Sequence, residues 1–305
     1  MHTRINRRQF GKYALIAGLG SYTVPTSGMS APDKNVSKKA TSLTNKIALN
    51  AYSFNRPLRD GSMDLFNLLE YCSDLGIDGV DLTGYYFPGY PTPPPNTFIY
   101  EIKKRAFEMG LHICGTGVRN DFCNPDKKNR EMEKKLVKDW ILVAEKLGAP
   151  AIRTFTGKDV PEGYTWNQAS EWIADDYLEC AAFGKEHGVV IEIQNHNDFL
   201  KTAKQVSTLL DKINSEWIGL MLDIGSYRTA DPYIEIKETI KYAVNWQLKE
   251  RVFVNQKTEP VNLSNLKDII LNSDYKGYIP IETLGEGDPK VKVREFYKEI
   301  IAEFR

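Results

Sequence analysis

The sequence lacks several features that define common classes of protein. Its 305 residues contain no apolar run of the roughly 18 residues that suggests a membrane-spanning helix. Four cysteines occur, Cys72, Cys114, Cys123 and Cys180, without metal-site spacing and too few for a disulfide framework. Basic and acidic residues balance at 40 each, so no excess of positive charge favours a nucleic-acid partner. These absences predict a globular protein with buried, unpaired cysteines.

The N-terminal segment is predicted to be an export signal. INRRQFGK places Arg7 and Arg8 ahead of the short apolar stretch YALIAGLG, a pattern that resembles a twin-arginine signal. No cysteine follows the apolar stretch, so a lipid anchor in the membrane is not expected. We predict a signal at 1–31 that directs export to the periplasm, a linker at 32–44 and one domain at 45–305. A disordered basic tail is the alternative for the first segment.

Beyond residue 45, short apolar segments alternate with longer segments of helical spacing. Residues 79–82 (GVDL) and 151–155 (AIRTF) are typical of buried strands. A helix is predicted at 130–148, where one face contains Met132, Leu136, Trp140, Val143 and Leu147. Eight strands and eight helices over about 260 residues indicate a single (β/α)8 barrel, the TIM barrel of the α/β class. The absence of a Gly-rich phosphate turn after the first strand disfavours a doubly wound sheet.

The stretch 189–198, VVIEIQNHND, predicts where the barrel has its site. Alternate side chains of a strand share a face, so Glu192, Gln194 and His196 lie together, opposite Ile191 and Ile193. Such a polar face suits a barrel wall that opens into a site better than a flat buried sheet. The other strands show the same alternation, with polar groups near their ends, where the working residues of TIM barrels lie. This predicted inner face further contains Asn50, Tyr52, Asp81, Arg153, Phe155, Asp223, Asn245, Gln247, Lys249 and Glu282.

Five strand ends, in order, resemble the xylose isomerase-like family of sugar phosphate isomerases and epimerases. The matching stretches are GIDGVDL, IQNHN, GLMLDIGS, WQLKE and GYIPIE, and the resemblance extends over residues 45–303. It implies one divalent metal ion, Mn, Mg or Zn, held by a Glu, an Asp, a His and a Glu from strands five to eight. It also implies that the two glutamates move protons on either face of a carbohydrate.

This sequence departs from that pattern at two of the four ligand positions. Asp223 and Glu282 match, whereas Gln194 and Gln247 stand where the family has Glu and His. The family's D-x-G-H on strand six ends here in Ser226. An amide oxygen can bind a hard cation, but it adds no charge and cannot act as a base. The expectation is a weaker metal site formed by Asp223, Glu282, Gln194 and Gln247.

The remaining assignments concern catalysis and substrate binding. Glu282 is the predicted base, and His196 or Glu192 replaces the lost second base. Lys249 either clamps a substrate oxyanion or neutralises the nearby acids. Residues 84–98, GYYFPGYPTPPPNTF, form either a lid that stacks on a sugar ring or a stiff loop. The side chains expected to bind the substrate are Arg153, Asn50, Tyr52, Asn245, Ser226 and Arg228.

Three functions remain open from the sequence. The resemblance implies a sugar isomerase or epimerase that abstracts a proton next to a carbonyl with the help of a divalent metal. Loss of one base makes a keto-sugar lyase or hydratase the first alternative, because such a reaction runs with a single acid/base. A periplasmic barrel that binds a sugar without chemistry is the second. Each takes a small-molecule carbohydrate as its partner, and assembly into a homo-oligomer through the outer helices is left open.

Overall fold

The structure is a computed structural model that describes residues 42–196 and 198–305. The export signal and most of the linker lie outside the described residues. Leu43, within the predicted linker, is buried, and its N–H donates to the carbonyl of Phe304 at 2.7 Å. Residues just before the predicted domain start therefore already pack on the barrel. Among the described residues, no helix has the length and apolar character needed to cross a membrane.

Eight parallel strands close into a barrel, as the alternating pattern predicts. The barrel strands are β1 (Ile47–Asn50), β2 (Gly79–Thr83), β3 (His112–Gly117), β4 (Ala151–Phe155), β5 (Val190–Gln194), β6 (Ile218–Asp223), β7 (Ala243–Lys249) and β10 (Ile279–Glu282). Around the barrel the order is β1-β10-β7-β6-β5-β4-β3-β2. The prediction of a single TIM barrel is confirmed.

The described residues contain nine α-helices, eight of which correspond to predicted ones. The additional helix, α1 (Asn55–Asp60), is a short segment that follows the 3-10 helix Ala51–Phe54 after the first strand. Asp64 begins α2 by accepting from the N–H of Asn67, and Gly76 ends it with φ 77°, a conformation that favours glycine. The helices are α1 (Asn55–Asp60), α2 (Leu65–Leu75), α3 (Asn96–Glu108), α4 (Lys127–Leu147), α5 (Trp166–Glu186), α6 (Ala203–Ile213), α7 (Pro232–Thr239), α8 (Leu263–Leu271) and α9 (Pro289–Phe304).

Helix α4 corrects one detail of the sequence analysis. Met132, expected on the inward face, is 59% exposed. The buried line instead runs from Trp140 and Val137 to Lys134 and Arg130, which follows the helical spacing toward the N-terminus. These two cations face α5, where Arg130 Nε lies 2.7 Å from a carboxylate oxygen of Asp176. The buried face of α4 near its N-terminus therefore carries paired cations, whereas a methionine was predicted there.

A two-stranded hairpin that was not predicted from the sequence follows β7. Strands β8 (Arg251–Val254) and β9 (Lys257–Pro260) pair antiparallel through a two-residue turn. Both turn residues, Asn255 and Gln256, have positive φ, 49° and 66°. Such turns usually carry Asn-Gly or Asp-Gly, so the Asn-Gln pair gives little signal in the sequence.

The register of the barrel sets the site. Outward side chains such as Ile191 and Ile193 of β5 belong to the hydrophobic core beneath the helices. The parallel pairing aligns Asp223 with Gln247 and Lys249 with Glu282 at the carboxyl ends of the strands. The polar ends of β6, β7 and β10 therefore lie side by side. All four cysteines are buried and free, as expected.

Candidate active site

A cavity of about 180 Å³ opens at the carboxyl ends of the barrel strands. A larger groove of about 790 Å³ lies near α1, α2 and the start of α9, but none of the polar strand ends of β4, β5, β6, β7 or β10 reaches it. The smaller cavity is the candidate site, because charged and amide groups of several strands converge there. Its wall contains Tyr52, Tyr85, Arg119, Arg153, Phe155, Gln194, His196, Gln247, Lys249, Glu282 and Leu284.

Lys249, the last residue of β7, lies between two buried carboxylates. Its Nζ is 2.7 Å from Asp223 Oδ2 and 3.3 Å from Glu282 Oε2. The side chain of Asp223 is fully buried, that of Glu282 is 4% exposed, and that of Lys249 is 14% exposed. Removed from water, these charges interact more strongly than surface ion pairs, and the arrangement depends on all three.

Two glutamines extend this network. Gln194 Nε2 donates to Asp223 Oδ2 at 2.8 Å and to Gln247 Oε1 at 2.6 Å. Gln247 Nε2 in turn donates to Glu282 Oε1 at 3.2 Å. Because an ionised carboxylate only accepts, these contacts fix both amides with their NH2 groups toward the acids. The Oε1 atom of Gln194 is left buried and without a hydrogen-bond partner among the described residues.

The four predicted metal ligands thus converge, but their donor set does not fit a divalent cation. Asp223 Oδ2 accepts from Lys249, from Gln194 and from Ser226 Oγ at 2.6 Å, while Oδ1 accepts from the N–H of Gly225 at 3.0 Å. Mg²⁺ and Mn²⁺ require oxygen lone pairs, and those of Asp223 are already engaged. In the described part of the chain, no group of three or more His, Cys, Asp or Glu side chains is placed to hold a metal.

The charges of this network shift two pKa values. Burial raises the pKa of Glu282 above its ordinary value, although the ammonium of Lys249 opposes this effect. Burial alone would lower the pKa of Lys249, but the carboxylates of Asp223 and Glu282 outweigh it and raise that pKa. Lys249 is therefore an ammonium at neutral pH. A carboxylate with a raised pKa is also a stronger base than an exposed one.

Several predicted site residues lie below the cavity. Asn50 donates to Asp81 Oδ2 at 3.1 Å, Asn245 is buried, and neither amide is part of the cavity wall. Glu192 is fully buried, and its oxygens have no hydrogen-bond partner among the described residues. Burial, reinforced by Asp81, raises its pKa well above the ordinary value. The structure thus removes Glu192 from the cavity wall and leaves His196 as the candidate second base.

One side of the cavity wall is cationic and aromatic. Arg153 Nη1 donates to the hydroxyl of Tyr85 at 2.8 Å, and its guanidinium lies 4.5 Å from the ring centroid of Phe155. Arg119 lies 5.5 Å from the centroid of that ring. Neither Tyr85 nor Arg119 was predicted from the sequence, because Tyr85 lies in the short 3-10 helix Gly84–Tyr86 and Arg119 lies on a loop, outside the alternating pattern of the strands. The aromatic run after β2 was the available signal for Tyr85, whereas Arg119 had none.

The other predicted residues divide between the cavity and the surface. His196 lines the cavity, with Nδ1 2.9 Å from Asp198 Oδ2. If this nitrogen carries the proton, Nε2 is the free acceptor.

Tyr52 also lines the cavity, whereas Ser226 is hydrogen-bonded to Asp223 behind the wall. Arg228 is exposed and lies outside the wall, with its guanidinium 4.3 Å from the ring centroid of Phe253.

The loop after β2 is packed against α4. Trp140 Nε1 donates to the carbonyl of Pro91 at 2.8 Å, and the rings of Phe87 and Tyr90 lie 5.5 Å and 5.4 Å from the Trp140 ring. Tyr85 contacts Tyr90 edge-on at 5.3 Å. The loop therefore fixes the position of Tyr85 in the wall, as the stiff-loop alternative implies.

Comparisons with known proteins agree with this fold. A family model described as xylose isomerase-like TIM barrel matches residues 69–300. No curated protein matches the sequence significantly.

Three solved structures illustrate the likeness. D-psicose 3-epimerase from Clostridium cellulolyticum H10, solved with D-tagatose, has a TM-score of 0.71 and 14% identity, covering 85% of this chain and 99% of its own. A probable 3-DHS dehydratase from Bacillus anthracis, AsbF, has 0.69 and 14%, covering 84% and 98%. A xylose isomerase-like protein from Mycobacterium smegmatis in complex with magnesium has 0.63 and 17%, covering 86% and 98%. At these identities the likeness shows the fold alone.

Proposed function

The chain belongs to the xylose isomerase-like TIM barrel family, and we propose that it is a sugar isomerase or epimerase that abstracts a proton next to a carbonyl. The observation that supports this most is the place of Glu282. Its carboxylate lines the cavity, is almost completely buried and has a raised pKa. A general base needs this combination of access to the substrate and basicity.

The rest of the wall suits a carbohydrate. Gln194 lines the cavity, and its buried Oε1, without a hydrogen-bond partner among the described residues, would accept from a sugar hydroxyl once the side chain turns toward the substrate. Arg119 and Arg153 place positive charge near the space where a carbonyl oxygen becomes negative. The faces of Tyr85 and Phe155 add apolar surface for the C–H groups of a sugar ring. The cavity is smaller than the 300–1,000 Å³ of typical drug-sized sites, in keeping with a small substrate.

A stereochemical inversion needs a second proton donor on the opposite side of the reacting carbon. His196 lines the same cavity from the end of β5, and β6 and β7 separate that strand from β10, which carries Glu282. In the proposed mechanism, Glu282 removes the proton, and His196, which enters this step as an imidazolium with protons on both ring nitrogens, returns the one on Nε2 to the other face. The hydrogen bond that His196 Nδ1 donates to Asp198 Oδ2 orients the imidazole.

A lyase or dehydratase is the second candidate. The observation that favours it is that Glu282 is the only carboxylate among the described residues of the cavity wall. Elimination next to a carbonyl can use one carboxylate, first as base and then as acid. The structural likeness to the Bacillus anthracis dehydratase agrees with this candidate in fold alone.

Solvent exchange tests the shared first step without requiring the true product. Wild-type protein is incubated in D2O with a panel of ketoses that includes D-psicose and D-tagatose, and deuterium at carbon is followed by NMR. We expect exchange with at least one sugar, and a loss of roughly 100-fold or more in Glu282→Gln. Glu286→Gln, at an exposed position close in sequence, is the matched control and should keep wild-type exchange.

The products separate the two candidates. A product that is an epimer or an aldose–ketose isomer, with the mass of the substrate once deuterium is accounted for, supports the isomerase. A product that has lost water supports the dehydratase. Full exchange in Glu282→Gln would refute the role of this carboxylate. Sugar binding without any deuterium exchange would support the hypothesis of a barrel that binds a sugar without catalysis.

A further inference from the structure

The buried site contains a cation of its own. The Lys249 ammonium touches Asp223 and Glu282, the two carboxylates retained from the ligand set that the resemblance implies. A metal ion bridging these acids would have to lie where the ammonium lies. Like charges in a buried site repel strongly, so ammonium and divalent ion exclude each other there.

The residues around the ammonium are matched to a single positive charge. Gln194 and Gln247 are neutral and donate N–H groups to the two acids. A Glu at the first of these positions would add a third negative charge, which a divalent ion would offset and a lysine would not. With two carboxylates and one ammonium, the present set has a net charge of −1. The ligand set that the resemblance implies, with three carboxylates, a neutral His and a divalent ion, would have the same net charge of −1.

The backbone is also shaped for the lysine. A Cβ atom at Gly225 would lie 2.6 Å from Lys249 Cδ, closer than real Cβ contacts, and 3.2 Å from the carbonyl oxygen of Arg251. The side chain of Lys249 therefore packs against the backbone of Gly225, where any larger residue would contact it. The N–H of the same glycine donates to Asp223 Oδ1, which holds this carboxylate toward the ammonium.

We infer that Lys249 takes the place of the divalent cation and that the protein acts on its substrate without a metal. The inference rests on the proposed function for its chemistry. Glu282 takes the proton from the carbon, the C–H electron pair forms the carbon–carbon double bond, and the carbonyl π electrons move to oxygen. An N–H of Lys249 donates to this oxyanion, so charge is stabilised without a Lewis acid and no redox partner is required.

Metal binding tests the inference independently of turnover. The full chain is purified, treated with EDTA and titrated with Mn²⁺, with bound ion measured by electron paramagnetic resonance and Tm by calorimetry. Wild-type protein should bind no stoichiometric Mn²⁺, and neither EDTA nor Mn²⁺ should change its Tm. Lys249→Ala should bind Mn²⁺ more than about tenfold tighter than wild type, because a unit charge beside the ion is removed. Lys135→Ala, at an exposed surface pair, is the control.

Each outcome decides the matter. One Mn²⁺ per wild-type chain, removed by EDTA with a fall in Tm, would overturn the inference, and so would a Lys249→Ala variant that binds no tighter than wild type. If Lys249→Ala does not fold, the wild-type titration decides alone. Failure of the proposed function would appear differently, as absence of deuterium exchange with the sugar panel at any metal concentration.

Discussion

Replacing Lys249 by Met is the most informative single change. Methionine keeps most of the length and volume of the side chain but removes the ammonium. Asp223 and Glu282, 0% and 4% exposed, would then face each other without the ammonium between them. Removal of one partner from a buried ion network leaves the other charges unpaired, which destabilises the fold strongly.

The magnitude follows from the two contacts. At an effective dielectric constant of about 20, unit charges at the observed 2.7 Å and 3.3 Å attract by roughly 6 and 5 kcal/mol. Desolvation of the ammonium, which the variant avoids, offsets several kcal/mol of this sum. We expect a net loss of about 3–5 kcal/mol at pH 7.5, which corresponds to a fall in Tm of roughly 6–10 °C for a chain of this size.

The loss should depend on pH. The pKa of Glu282 is already raised with Lys249 present, and removing the ammonium raises it further. Above its unfolded value of about 4.5, the folded variant therefore retains a proton that the unfolded chain releases. Folding of the variant weakens as the pH rises through this window, so the loss should be smaller at pH 5.5 than at pH 8.

Urea unfolding followed by tryptophan fluorescence at these two pH values measures both effects. Lys135→Met, which removes an exposed i,i+4 pair with Asp139, is the control and should cost about 0–1 kcal/mol at either pH. A Lys249→Met variant that loses no more than the control, with no pH dependence, would refute the buried network.

Three further predictions concern the surroundings of the site. Burial raises the pKa of Asp81 to about 7, so the wild-type fold loses up to about 4 kcal/mol of stability as the pH rises from 4 to 7. The Tm of Asp81→Asn relative to wild type should therefore be higher at pH 8 than at pH 5, and an equal Tm difference at both pH values would contradict this. Gly225→Ala should lower the free energy of unfolding in urea by about 1–3 kcal/mol, because the new Cβ meets the Lys249 side chain. In a Lys249→Ala background the loss should be much smaller, and an unchanged loss would mean that the strain does not come from Lys249. Trp140→Phe leaves the Pro91 carbonyl without its donor and should cost about 1–3 kcal/mol by the same assay; a neutral result would show that this bond does not hold the loop.

Much of the site could be predicted because strands have a two-residue period. Gln194 and Glu282 line the cavity because they end strands whose alternate residues face inward. Depth along a strand was harder to judge: Glu192 shares a face with Gln194 but lies one layer lower, outside the cavity. Loop residues have no such period, which explains why Arg119 was missed and why Arg228, predicted to bind the substrate, lies outside this cavity wall.

The sequence by itself determined the barrel, because eight alternations of apolar strand and amphipathic helix have few other compact solutions. It also determined that glutamine stands at two of the four ligand positions that the resemblance implies. Only the tertiary structure decided what those substitutions mean. In the sequence, Lys249 is equally a clamp for substrate or a neutraliser of acids, because a charged side chain has no preferred partner along the chain. The register of β6, β7 and β10 brings Asp223 and Glu282 to either side of its ammonium, and that placement sets its role.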